Sequence, residues 1–384
     1  MAAEIPERQL IDDISALEEE FTARHGYAPV NVSYWDPGDP YRATIAPLLL
    51  DDSRSNLIDY IFSDDVQPLG AVVKALGFDP DRYESVITSN GTTAISLLMH
   101  YFGARANITI RFLGPVYFSA VHLARRLNIP HVIDPLIWDD GRFSLRQTLE
   151  LHPLLNGSVL WITNPIYGTG VQLSQEDIDV IRNHAKDGVT VVFDEAYAIE
   201  EQRIGPSLCP PATMFGIYSP QKSINVNGLK FATLVTPLES ATALHQLTDI
   251  VCGGLTPSNR AAIKHYLSPS YAALVAESHR FVQCAKLRLN ALVPPYLRTI
   301  SLNAAGPFIT VNNPAVSAER GWDLSFLRRM ADETGATFIP TCRNWMSADT
   351  GLGFRVNLCQ SSEHFWQALG RLCDVLTSIS GAAS

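Results

Sequence analysis

Residues 158–198 read SVLWITNPIYGTGVQLSQEDIDVIRNHAKDGVTVVFDEAYA. Two short apolar runs, Ser158–Thr163 and Val189–Phe193, flank a loop and a helical stretch. Neither run alternates strictly between polar and apolar residues, which is how strands covered on both faces of a parallel sheet read. Working outward, the same succession of brief apolar run, loop and helix recurs, with runs at Ser85–Thr88, Ile108–Leu113, Met214–Tyr218 and Lys230–Thr236. The pattern predicts an α/β architecture, a mostly parallel central sheet flanked by helices.

Outside this region the text changes. Residues 8–25 predict an acidic helix, followed by the turn-rich segment VNVSYWDPGDP (30–40). Beyond about residue 256 come long helices over 258–292, β-rich sections at 298–312 and 350–359, and a closing helix over 361–379. At 384 residues the chain exceeds one ordinary core. We divide it into an N-terminal arm (1–48) that joins the smaller part, a large domain (49–256) and a smaller α+β C-terminal domain (257–384).

The net charge of −10 argues against binding nucleic acid or an anionic membrane by bulk charge. Six cysteines without a CxxC pair or a His/Cys cluster read as reduced thiols, and no metal site is expected. The acidic N-terminus lacks the basic start and apolar core of a signal peptide. The longest apolar stretches fall far short of the roughly 20 residues of a membrane helix. A cytoplasmic location is therefore expected. Only six lysines occur, so any lysine amine used as a chemical tool comes from a short list.

Ligands of open α/β sheets bind beyond the carboxyl ends of the strands. The first run is followed by Ser89-Asn90-Gly91-Thr92-Thr93, which opens an apolar helix. The second leads into Gly114-Pro115-Val116-Tyr117, the third into Asn164-Pro165, the fourth into Asp194-Glu195-Ala196-Tyr197, and the fifth into Ser219-Pro220-Gln221-Lys222. Each alone reads as a cap, a turn or a solvated residue. As a set they offer a phosphate-type cradle at a helix N-terminus, an aromatic ring, an amide, a carboxylate with a phenol, and a lysine amine.

This set resembles the fold type I pyridoxal 5'-phosphate (PLP) enzymes, specifically the class I/II aminotransferase family, over about residues 30–375. LWITNPIYGTGVQLSQEDIDVI is similar to the family's NPxNPTG segment, and VVFDEAYA to its DEAY segment. In YSPQKSINVNGLK, Ser219, Lys222, Gly228 and Lys230 stand at the spacing of the family's Ser-x-x-Lys with a basic residue eight positions on. FRVNLC (354–359) is similar to the C-terminal arginine motif.

The resemblance implies an aspartate aminotransferase-like fold with a large PLP-binding domain. It also implies roles. Lys222 would hold PLP as a Schiff base and shuttle the α-proton, needing a neutral amine. Asp194 would pair with the pyridinium nitrogen. Asn164 and Tyr197 would bond the ring's phenolic oxygen, and Tyr117 would stack on the ring. Gly91, Thr92, Thr93, Ser219 and Lys230 would hold the phosphate. Arg355 would grip the substrate α-carboxylate as a bidentate fork. Tyr60 falls where the family has a tyrosine that reaches the phosphate of a neighbouring subunit, which implies a homodimer with shared active sites.

The chain departs from the family pattern at four places. Trp35 takes the place of a glycine and should reshape the substrate side of the pocket. NPxNPTG has become Asn164-Pro165-Ile166-Tyr167-Gly168-Thr169-Gly170, so that Tyr167 faces the site or packs beside it. The phosphate-binding arginine is Lys230. The loop before the final arginine is Pro340-Thr341-Cys342-Arg343-Asn344-Trp345. The implied activity is that of an aminotransferase converting an amino acid to a 2-keto acid. The alternative is a PLP enzyme of specialised metabolism that eliminates, replaces, cyclises or oxidises. A non-catalytic domain that keeps the fold is disfavoured by the presence of both Lys222 and Asp194.

Overall fold

A computed structural model describes residues 9–34, 37–48, 69–139, 141–155, 157–205, 208, 210–294, 297–300 and 306–381. Its centre is a seven-stranded sheet of β1 (Tyr83–Thr88), β2 (Thr109–Gly114), β3 (His131–Pro135), β4 (Ser158–Thr163), β5 (Thr190–Asp194), β6 (Met214–Tyr218) and β7 (Ala232–Pro237). The spatial order is β1-β7-β6-β5-β4-β2-β3. Strands β3, β2, β4, β5 and β6 pair in parallel, while β7 runs antiparallel between β6 and β1. The sheet is mostly parallel, as the sequence predicts.

Each central strand feeds two cores by the pleat's twofold alternation. In β4, Val159 and Trp161 join one cluster with Phe112, Val192, Phe215 and Leu234. Leu160 and Ile162 point the other way and join Leu113, Val191, Phe193 and Val235. Burial on both faces removes the polar positions, which is why these strands read as unbroken apolar runs. Strand β3 was not read from the sequence. It lies at the sheet edge, leaves Val132 42% exposed and ends in a proline, so it lacks the apolar run that marks its neighbours.

The antiparallel direction of β7 matters for the site. Its first residue, Ala232, lies opposite Thr88, the last residue of β1. The chain just before β7, including Lys230, therefore sits at the sheet edge where the parallel strands end.

A second sheet holds β8 (Arg298–Ile300), β9 (Phe308–Asn313) and β10 (Leu352–Asn357), all antiparallel, with Thr310 opposite Arg355. Its core gathers Ile309, Val311, Phe354 and Val356 with Phe326, Met330, Phe365 and Leu369 from two helices. The N-terminal segment joins this part: Val30 and Asn31 pair in parallel with Ala336 and Thr337. The expected helical stretch 258–292 is divided into Pro257–Tyr266 and Ser270–Leu292. No helix among the described residues is long and apolar enough to cross a membrane.

Phe354 is fully buried beside Arg355, its ring 5.2 Å from that of Phe338. Phe354→Ala should cost about 3–5 kcal/mol of stability by opening a cavity. The midpoint of urea unfolding reads this, and an unchanged midpoint would contradict the packing described.

Candidate functional site

The carboxyl ends of β1, β2, β4, β5 and β6 meet at one edge, and five loops cross there. Lys222 follows β6 in the single helical turn Pro220–Ser223, with its N–H on Ser219 O at 2.9 Å. Its Nζ lies between two rings, 4.4 Å from the centroid of Tyr197 and 5.1 Å from that of Tyr117. Surrounding protein excludes water from the amine and lowers its pKa to about 8. Asp194 opposes that shift by attraction, while Lys230 and Arg355 add to it by repulsion.

Asp194 ends β5 and is buried. Burial raises its carboxyl pKa, while Lys222 and the Ala196 N–H, 3.3 Å from Oδ1, hold it back. Tyr197 stands edge-on to Phe308 at 5.1 Å, and burial pushes its phenol well above the usual range. Tyr117 directly precedes the helix Phe118–Arg126, after a cis Gly114–Pro115 bond, and its ring is 5.9 Å from that of Tyr167. The 341–346 loop packs behind it. Asn344 O accepts the Val116 N–H at 3.1 Å, and a Cβ on Gly114 would run into the Trp345 carbonyl.

Arg355 on β10 closes the opposite side. One terminal nitrogen donates to Ser33 O at 2.7 Å, the other to Tyr167 Oη at 3.3 Å, and the guanidinium lies 4.7 Å from the ring centroid of Phe308. Thr310, opposite it in the register, donates to Gly168 O at 2.8 Å and ties the Tyr167 turn to the second sheet. The cleft against Arg355 is walled by Pro165, Ile166, Tyr167, Tyr197, Pro307 and Phe308.

At the other end lies the N-terminus of the helix Gly91–Gly103, where a helix presents unpaired N–H groups. Thr92 is exposed there. Asn259 Nδ2 donates both to Ser89 O at 3.2 Å and to Lys230 O at 2.8 Å, which draws the Lys230 segment to this helix end.

Several of the expected cofactor-binding groups have partners within the protein. Asn164 has both amide protons engaged, on Glu195 Oε1 at 2.7 Å and Gln202 O at 2.8 Å, and its oxygen accepts the Leu173 N–H at 3.4 Å. It braces the turn and has no donor left for a ring oxygen. Tyr167 lies beside it in the chain, between Arg355 and the ring of Tyr117. Ser219 directs its hydroxyl to Phe231 O at 2.9 Å, and the Thr93 N–H is capped by Asn90 Oδ1 at 3.1 Å. These donors are therefore not offered to a phosphate. A Cβ on Gly91 would meet only the Ala196 methyl at 3.9 Å, an ordinary contact, so no protein neighbour there demands glycine. Tyr60 and Trp35 lie outside the described residues.

Three residues were not singled out in the sequence. Glu195 is buried and accepts from Asn164, Tyr218 Oη at 2.8 Å, Ile204 N at 2.8 Å and Gly205 N at 3.2 Å. Its only signal was a position next to Asp194. Phe308 and Ser33 reach Arg355 from segments far away in the chain and carry no local signal.

No family model matches the sequence, and no curated protein sequence matches it. Solved structures do match in fold. The chain superposes on N-succinyldiaminopimelate aminotransferase from Mycobacterium tuberculosis with a TM-score of 0.75 at 18% identity, covering 97% of this chain and 100% of that one. A mutant of Thermus thermophilus aspartate aminotransferase gives 0.74 at 15%, over 98% and 100%. YbdL from Escherichia coli, for which a methionine aminotransferase function is described, gives 0.73 at 14%, over 97% and 99%. The chain has the aspartate aminotransferase-like fold, the class that both its sheet order and these likenesses define. These neighbours are aminotransferases, and at such identity the likeness is one of fold.

The residues at the strand ends fit pyridoxal phosphate. A buried carboxylate calls for a cationic partner, a lysine amine stands near two aromatic rings, and the Lys230 segment is drawn to a helix N-terminus, a combination suited to a phosphate. Capture of this aldehyde requires the neutral form of Lys222, which grows as pH rises through about 8. The rate of uptake by the stripped protein, followed by absorbance, should therefore rise with pH to a plateau with a midpoint near 8. In Asp194→Asn the attraction that raises the amine's pKa is gone, so the midpoint should move down. An unmoved or higher midpoint would sink the pairing.

Proposed function

We propose that this chain is a PLP-dependent enzyme that acts on an amino acid, and that it is an aminotransferase releasing a 2-keto acid. The observation that carries the reading is the Lys222–Asp194 pair between the rings of Tyr117 and Tyr197, with Arg355 across the cleft. When bound, the cofactor supplies an electron sink for the pair of electrons left at Cα.

The chain's own groups do the rest. Lys222 holds the cofactor covalently at rest, and its neutral Nζ then takes the proton from the substrate's Cα. Asp194 would pair with the ring nitrogen, the cationic partner its buried carboxylate calls for. Tyr117 and Tyr197 wall the site and keep water out. Thr92, Lys230 and the helix N-terminus receive the phosphate. Arg355 receives the α-carboxylate, and its bonds to Ser33 O and Tyr167 fix the plane of the guanidinium before substrate arrives. The remaining wall of the cleft is apolar, with Arg355 its single charged side chain among the described residues. This favours an uncharged, apolar amino acid side chain. A homodimer, with Tyr60 reaching a second copy's phosphate, a cytoplasmic location and the division at residues 48 and 256 belong to the same proposal.

A second reading keeps the cofactor and changes the outcome to elimination, replacement, cyclisation or oxidation. The engaged Asn164 amide and the presence of Tyr167 favour it, because they alter the cofactor's surroundings relative to the family pattern.

The test is to incubate the holoenzyme with neutral L-amino acids and a 2-keto acid acceptor and to assay new keto acid and free ammonia. Transamination yields keto acid without ammonia, whereas ammonia release favours the second reading. Lys222→Ala should abolish turnover. Arg355→Lys should raise KM about 10–100-fold, because an ammonium does not provide the bidentate fork. No product with any amino acid would defeat both readings.

A further inference from the structure

A second cleft lies on the far side of the Lys222 turn, between residues 199–203, Ser223 and the helices Pro257–Tyr266 and Ser270–Leu292. Its cavity volume is about 460 Å³. Its walls are of three kinds. The rings of Tyr266 and Tyr271 stand perpendicular at 5.0 Å, and Val275 and Ala276 add an apolar side. Arg203 and His279 supply nitrogen donors. Glu200 and Glu201 stand exposed at the rim.

Two buried nitrogens of the cleft have no hydrogen-bond partner. Arg203 donates only to Tyr266 Oη, at 3.5 Å, its Nε is buried without a partner, and among the described residues it pairs with no carboxylate. His279 Nε2 is likewise buried and unpartnered. Two turns further along the same helix face, the amine of Lys286 is buried without any hydrogen-bond partner, the residue only 4% exposed. Burial and the repulsion of Lys286 hold the His279 imidazole below its usual pKa, while Glu201 acts the other way. Buried cationic and polar groups are ordinarily paired. Arg203 and His279 both line the cleft, each with a buried nitrogen that has no partner, and together they offer a place for a carboxylate.

We propose that this cleft binds a small monocarboxylate with an apolar body. The carboxylate sits on Arg203, with His279 beside it, and the body lies against Tyr266, Tyr271 and Val275. The rim glutamates repel a second anionic group, so dicarboxylates are excluded. The site is joined to the catalytic lysine through the backbone. Tyr271 Oη donates to Pro220 O at 2.8 Å, and Ser223, which lines the cleft, donates to the same carbonyl at 2.6 Å. Pro220 opens the turn that carries Lys222. Occupancy therefore reports to the amine from behind.

Phenylacetate serves as the probe, since it carries the carboxylate and the apolar body and has no amine to react. Calorimetric titration of the full-length holoenzyme should show a phenylacetate site that survives Arg355→Gln. Arg203→Gln should weaken that site at least 10-fold. Ala276→Trp, which fills the cleft from an exposed helix position, should abolish it. Succinate should not compete for it. Binding at this site should also shift the visible absorbance of the cofactor, a readout independent of turnover. The proposal is overturned if Arg355→Gln removes all phenylacetate binding, or if Ala276→Trp and Arg203→Gln leave it unchanged. Because phenylacetate binding is scored without catalysis, failure of the proposed aminotransferase activity is read separately.

Discussion

The site is built around a lysine and a carboxylate placed together where water is largely excluded. Burial pulls the two in opposite directions: it discharges Lys222 and protonates Asp194, while their mutual attraction favours both charges. Neither tendency wins outright, and the amine is left near the middle of the useful pH range. This balance depends on position. Asp194 must end its strand and Lys222 must follow the next one, so that neighbouring parallel strands deliver both to one edge. The repulsion of Lys230 and Arg355 then lowers the amine's pKa further.

Arg355 joins the two sheets. Its strand belongs to the second sheet, yet its guanidinium is bonded to the Tyr167 turn of the first and to the Ser33 carbonyl of the N-terminal segment. Ser33 in turn bonds Ile339 N, and its hydroxyl donates to the Arg355 carbonyl, so the arginine's backbone and side chain are both held by one residue. Asn357, two positions on, accepts from Asn225, whose N–H caps the Lys222 turn. A carboxylate docking on Arg355 thus meets a group whose orientation is fixed by three separate segments.

Much of this was legible in the sequence, for a definite reason. Buried parallel strands announce themselves as apolar runs, and the residue just past each run is forced to the ligand edge. Asp194, Tyr197, Lys222 and Tyr117 were readable because strand position alone places them. Arg355 was readable by resemblance. For Asn164 and Ser219, strand position says where the side chain is and not which protein partner takes its hydrogen bonds. That allocation depends on Glu195, Gln202 and Phe231, which arrive from other loops. Phe308, Ser33 and the cations behind the Lys222 turn were illegible for the same reason, since their contacts span tens to hundreds of residues.

The placement of β7 has a consequence for how the chain comes to be folded. Strand β1 has a single neighbour in the sheet, and that neighbour is β7. During synthesis, β1 leaves the ribosome roughly 150 residues before β7 does, an interval on the order of ten seconds at ordinary elongation rates. Through that interval an apolar strand with fully buried Val86 and Ile87 has no hydrogen-bonding partner of its own. The helix with the phosphate-facing N-terminus follows β1 directly, so the cradle cannot be seated before β7 arrives. The nascent chain is thus obliged to carry an unpaired sticky edge for most of the sheet's translation.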